Sequence, residues 1–70
     1  MTNVKITCTA TDEAIYNGAI WGATDALVSY YCDTIGDGSI YDACIDLGDA
    51  ITHNDDTSAY EAFLACEVTY

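Results

Sequence analysis

The feature that most restricts how this chain can fold is its nearly one-signed charge. Twelve Asp and Glu residues stand against a single cation, Lys5, so the formal net charge is −11. Internal ion pairs are therefore almost excluded as a source of stability, and repulsion between carboxylates opposes compaction. The fold must place its acids at the surface and rely on apolar packing, for which 51% of the residues are hydrophobic.

The length of the chain sets a second limit. A chain of 70 residues buries only about 60% of the surface that it exposes when unfolded, which suffices for one domain. Disordered acidic segments lack the apolar content seen here, which includes six Tyr, one Trp and one Phe. We therefore predict that residues 1–70 form a single globular domain.

The sequence shows no targeting or membrane signal. Its N-terminal segment has no apolar core of signal-peptide length, and no stretch approaches the roughly 20 apolar residues of a membrane span. We expect a cytoplasmic protein whose four cysteines stay reduced. They include no Cys-x-x-Cys pair and accompany a single His, so we interpret them as small buried apolar side chains rather than zinc ligands.

The two ends of the chain have the period of β-strands. Residues 4–10 alternate between apolar and polar, and residues 60–70 alternate as well. The second segment is ambiguous because its first half consists mostly of good helix formers. We predict a strand there, preceded by about one helical turn. Pairing of the two strands would place Cys8 and Cys66 on the same inner face.

Helical spacing dominates the region between the predicted strands. The first predicted helix runs from Asp12 to about Thr34, with Thr11 as its N-cap, and it is apolar on more than one side, including the side of Trp21. A covered helix of this kind would bury most of its faces.

A Gly-rich turn at residues 36–39 separates this helix from a second one. Ser39 is the expected N-cap of the second helix, which runs from Ile40 to about Thr52. Together these elements predict an α+β fold. Two terminal strands pair antiparallel, and two or three helices pack on one face of them.

The sequence offers little for catalysis. Its one His, His53, lies in a polar loop beside Asn54 and Asp55, and no recognisable motif fixes a nucleophile for it. The Gly-rich turn lacks the Lys and the length of a phosphate-binding loop, and there is no basic patch for nucleic acid. We predict a protein that is not an enzyme, needs no cofactor, and binds neither nucleic acid nor membrane.

Calcium binding is an alternative, because the segment before the second helix resembles part of an EF-hand loop. With Gly38 at the sixth loop position, Asp33 and Asp37 fall on positions one and five. Ile35 and Cys44 occupy positions three and twelve, where ligands should complete the site. A turn with a helix cap explains the segment better, so we assign no metal site and keep a calcium-binding module as an alternative.

The acids themselves form the main candidate site. Asp42, Asp46 and Asp49 fall on one stripe of the second helix, and the first two are separated by a rise of about 6 Å. Phosphates along a DNA strand recur on a similar few-ångström scale. Arg pairs with carboxylate and with phosphate in the same two-pronged geometry, so such a row can occupy a Lys- and Arg-lined cleft in place of DNA.

The predicted partner-binding residues extend this row in both directions along the chain. They are Asp33, Asp37, Asp42, Asp46, Asp49, Asp55, Asp56 and Tyr41. Tyr41 is included as an interface anchor because Tyr is enriched where interfaces place their anchors.

In its size, its twelve acids against Lys5 and its tract from Asp33 to Asp49, the chain resembles the small acidic inhibitors that phages and mobile elements use against bacterial defence. These include anti-CRISPR and anti-restriction proteins, several of which mimic DNA. The resemblance implies a stoichiometric blocker in the cytoplasm of a host bacterium. Its expected target is the PAM-reading site of a CRISPR surveillance complex, with a restriction enzyme as the next candidate.

A homodimerising interaction protein is the remaining alternative. Either terminal strand could present an open edge to a second copy. The core is too small to bury all six Tyr residues, so some of them should be exposed and available for an interface. Salt would separate this interpretation from the first, because occupation of a basic cleft by charge weakens steeply with ionic strength.

Overall fold

A computed structural model describes residues 2–70. Within this range the elements are β1 (Asn3–Cys8), β2 (Ala14–Ala19), α1 (Ala23–Val28), α2 (Tyr41–Thr52), α3 (Ser58–Leu64) and β3 (Cys66–Thr69). Short 3₁₀ turns at Ile20–Gly22 and Gly38–Ile40 precede α1 and α2, and α1 continues into a π-helical segment, Ser29–Thr34. The predicted α+β class is confirmed.

The strands form an antiparallel sheet in the order β2-β1-β3. The central strand β1 pairs with both neighbours, so that Lys5 lies opposite Asn17 on one side and Thr69 on the other. The predicted pairing of the terminal strands is confirmed. Cys8 lies opposite Cys66, and both side chains are buried on the inner face.

The prediction of a helix from Asp12 is wrong for its first part, because residues 14–19 form β2. Thr11 does not cap a helix. Its hydroxyl accepts the Glu13 N–H (3.3 Å) within a hairpin turn, where the Cys8 N–H donates to the Glu13 carbonyl oxygen (2.8 Å). Two strands alone make a poor sheet, and β2 supplies the third strand that β1 needs on its open side.

Tyr16 explains the two glycines in and after β2. A Cβ atom on Gly18 would lie 2.9 Å from the Tyr16 hydroxyl oxygen, and one on Gly22 would lie closer still. The hydroxyl donates a hydrogen bond to the Ala19 carbonyl oxygen (2.7 Å). The glycines therefore leave room for this ring, which packs against the edge of the core.

The core lies between the inner face of the sheet and the helices. Its buried residues are Val4, Ile6, Ala23, Leu27, Tyr31, Cys44, Leu47, Ile51, Leu64 and Cys66. The Tyr31 hydroxyl donates to the Leu64 carbonyl oxygen (2.8 Å) within this core. This bond ties the π-helical segment to the end of α3, so the helices pack on one face of the sheet, as predicted.

The C-terminal segment resolves into a helix and a strand. α3 spans about two turns rather than the one turn expected, and Ala65, with φ 54°, reverses the chain into β3. The Glu61 carboxylate accepts hydrogen bonds from the Thr57 hydroxyl (2.8 Å) and from the Val68 backbone N–H (2.8 Å). Glu61 thereby fixes β3 against α3.

Candidate acidic partner-binding surface

α2 carries a row of carboxylates on the side opposite its buried stripe. Its buried residues include Leu47 and Ile51, whereas Asp42, Asp46 and Asp49 are all exposed. From the first to the third of these acids the helix rises by about 10 Å. The predicted second helix is confirmed. The three carboxylates of the predicted row are all exposed to solvent along this helix.

Two further predicted residues lie just before α2. Asp33 is exposed in the π-helical segment, and Asp37 is exposed in the turn that follows it. The Asp37 carboxylate accepts hydrogen bonds from the Ser39 backbone N–H (3.1 Å) and hydroxyl (2.5 Å). Asp37 therefore caps the 3₁₀ turn Gly38–Ile40. The prediction of Ser39 as the N-cap of α2 is wrong, because Ile40 occupies that position and its side chain makes no capping hydrogen bond.

The loop after α2 contains the remaining two acids of the predicted site. Asp55 and Asp56 are both exposed. The Asp56 carboxylate accepts hydrogen bonds from the Ser58 backbone N–H (3.0 Å) and hydroxyl (2.7 Å), and these bonds lower the pKa of Asp56. Asp56 thus orders the start of α3 as well as adding charge to the surface. His53 is exposed at the end of α2, where its Nδ1 lies 2.9 Å from the Asp49 carbonyl oxygen.

Tyr41 is the first residue of α2, next to the start of the acidic row, and half of its side chain is exposed (50%). Sequence reasoning missed two aromatic residues that are more exposed than Tyr41, namely Trp21 (68%) and Phe63 (67%). Trp21 was expected on an apolar side of the first helix, and it lies instead in the 3₁₀ turn that leaves β2. The error follows from the missed strand, since no local pattern marks this residue as exposed.

Within residues 2–70, the one Lys or Arg side chain lies away from this surface. The one cation, Lys5, is in the central strand and points to the outer face of the sheet, because its neighbours Val4 and Ile6 point into the core. The helices pack on the opposite, inner face. The acids along α2 and in the segments before and after it therefore produce a negative field that Lys5 does not neutralise.

Within residues 2–70 no pocket is found, and no three His, Cys, Asp or Glu side chains are grouped closely enough to hold a metal ion. The same residues include no helix with the length and apolarity needed to cross a bilayer. What this surface presents to solvent is its row of carboxylates and the half-exposed Tyr41.

No protein-family model matches the chain, and no curated protein or solved structure matches it either.

Proposed function

We propose that this protein is an inhibitor that binds a basic nucleic-acid-binding cleft of another protein, where its carboxylates take the positions of DNA phosphates. The observation that carries this proposal is the exposed row of Asp42, Asp46 and Asp49 on α2. The row is continued at both ends of the helix by exposed acids, and the one cation of the chain lies on the other side of the sheet.

The way α2 is held supports a preorganised mimic. Its inner stripe is buried against the rest of the core, so the backbone that carries the row is fixed before any partner binds. Binding by a fixed row avoids much of the ordering cost that a disordered acidic tail would incur. Lys and Arg side chains that bind phosphates can engage carboxylates at this spacing with the same hydrogen-bond geometry.

The proposed target is a bacterial defence complex in the cytoplasm. A CRISPR surveillance complex reads its PAM through cationic side chains in the groove of the duplex, and a restriction enzyme likewise holds DNA in a positive cleft. An anti-CRISPR role is the first choice and an anti-restriction role the second. In either role the protein acts by occupancy, without a reaction.

The test compares two triple variants of equal charge. Asp42→Asn, Asp46→Asn and Asp49→Asn together remove the row. Asp12→Asn, Glu13→Gln and Glu67→Gln remove three exposed acids from the hairpin turn and from β3. Asn also tolerates the φ of 58° at position 12. Each variant is titrated against a purified CRISPR surveillance complex, and separately against a restriction enzyme, with labelled target DNA as competitor.

We expect the inhibition constant of the row variant to rise about tenfold or more, whereas that of the control variant should change little. Inhibition by the wild type should weaken as the salt concentration rises. Equal losses in the two variants would show that net charge, and not the row, drives binding. Failure of the wild type to compete with DNA on either complex at low salt would refute the proposal.

A further inference from the structure

The two outer edges of the sheet differ. On β3, the Val68 N–H, which points away from β1, is already bound to the Glu61 carboxylate (2.8 Å). On β2, within residues 2–70, no further strand pairs with the side that faces away from β1. The sheet therefore has a blocked edge at β3 and an open edge at β2.

The hydrogen-bond alternation of an antiparallel pair identifies the backbone groups on the open edge. The Ile20 N–H donates to the Thr2 carbonyl oxygen (3.1 Å), which sets the phase of the β1–β2 ladder. Counting back along β2, Asn17 and Ala19 occupy the positions whose N–H and C=O groups point away from β1. The Ala19 carbonyl already accepts the Tyr16 hydroxyl and, as the N-cap of the 3₁₀ turn Ile20–Gly22, the first hydrogen bond of that turn. The edge groups that remain for a partner are therefore the Ala19 N–H and the N–H and C=O of Asn17.

The open edge also lies in the one long uncharged part of the chain. Residues 14–24 contain no Asp, Glu, Lys or Arg, and this is the longest such run in a chain of net charge −11. Two copies of the protein repel each other wherever acids face acids. β2 is therefore the edge at which a second copy can approach with the least electrostatic cost.

A large apolar side chain accompanies this edge. Trp21 follows β2 by two residues and is 68% exposed. Trp is enriched at protein interfaces, where its ring supplies contact area. An open strand edge and an exposed Trp thus coincide in the same uncharged segment.

We propose that β2 is the interface with a second copy of this chain, and that the two β2 strands pair antiparallel. An antiparallel edge is self-complementary, so one two-fold axis satisfies both copies at once. This axis runs perpendicular to the sheet, and both helical layers, with their acidic rows, lie on the same face of the joined sheet. The inference does not depend on the proposed inhibitory function.

The test combines the oligomeric state with hydrogen exchange. Native mass spectrometry and sedimentation over a range of concentrations should show a dimer, and exchange followed by NMR should show protection of the Asn17 and Ala19 amides that rises with dimer fraction. Ala19→Pro removes one donor from the edge, and the φ of −63° at this position suits proline. Ala19→Ser keeps the N–H and serves as the matched control.

We expect Ala19→Pro to raise the dimer dissociation constant at least about tenfold, because the two-fold axis repeats each lost hydrogen bond, while Ala19→Ser dimerises as the wild type does. A protein that stays monomeric at the highest concentration would overturn the inference. A dimer whose Asn17 and Ala19 amides exchange freely would overturn it too, because its interface would lie elsewhere. This exchange measurement on the wild type decides the question even if the proline variant fails to fold.

Discussion

Gly48→Ala should destabilise the protein, even though Ala is the better helix former. Gly48 is buried in the middle of α2, where α2 crosses α1 at Thr24. A Cβ atom at position 48 would lie 2.7 Å from the Thr24 Cβ and 2.9 Å from its Cα. Because the Thr24 Cα belongs to the backbone of α1, no side-chain rotation can relieve this contact.

Two opposing effects set the magnitude. Replacing Gly by Ala in a helix interior gains about 1 kcal/mol from backbone entropy. Overpacking a core usually costs about 1–3 kcal/mol, and here α1 must shift toward an ordinary carbon–carbon separation of about 3.5–4 Å. Because the contact involves the backbone of α1, the steric cost should lie in the upper part of its range and exceed the gain, leaving a net loss of up to about 2 kcal/mol. For a domain of this size a loss of that size lowers the melting temperature by up to roughly 15 °C.

Urea and thermal unfolding of matched variants measure this effect. Gly38→Ala is the control, because a Cβ atom at Gly38 would have no atom within 4 Å, and its stability should stay within about 0.5 kcal/mol of the wild type. Adding Thr24→Gly to Gly48→Ala should recover part of the loss, since the crowded side chain is then removed from α1. A Gly48→Ala variant that is as stable as the wild type, or more stable, would contradict the close packing of α2 on α1.

Two further predictions concern the core. Tyr31→Phe leaves the buried Leu64 carbonyl without its donor, so the free energy of unfolding measured in urea should fall by about 1–3 kcal/mol. Tyr41→Phe changes an exposed ring and should be nearly neutral. Equal effects of the two variants would contradict the Tyr31 hydrogen bond. Burial raises the pKa of the Cys44 and Cys66 thiols to about 11 from an ordinary value of 9.0. The folded state therefore holds these two protons more tightly than the unfolded state does. The resulting stability is fully present below pH 9.0 and is lost as the pH rises toward about 11. Thiol labelling at neutral pH should therefore be slow at both cysteines in the folded protein and fast in urea, and equally fast labelling in the two states would contradict their burial.

Periodicity predicted the elements that bury one side and expose the other. β1 alternates strictly, and α2 separates its core stripe from its acids by half a turn, so both could be placed from local sequence. The exposure of the acidic row followed for the same reason. Whether the eight predicted residues bind a partner stays a prediction.

β2 could not be found in this way. Its residues show no alternation between buried and exposed, and Tyr16 and Ile20 fall at helical spacing with the residues that follow. The segment becomes a strand because β1 offers it a hydrogen-bonding edge, and that partner lies about ten residues away in the chain. The exposure of Trp21 follows from the same pairing.

The sequence by itself determined the charge of this protein, because twelve acids and one Lys give the same net charge in any fold. It also determined which side of β1 and which stripe of α2 are buried, because both segments have a clear period. Tertiary structure decided how that charge is distributed and where the molecule is open. It placed Lys5 on the outer face of the sheet, used Glu61 to block the edge at β3, and left the uncharged β2 edge free. These outcomes depend on contacts between distant segments, and no local pattern in the chain encodes such contacts.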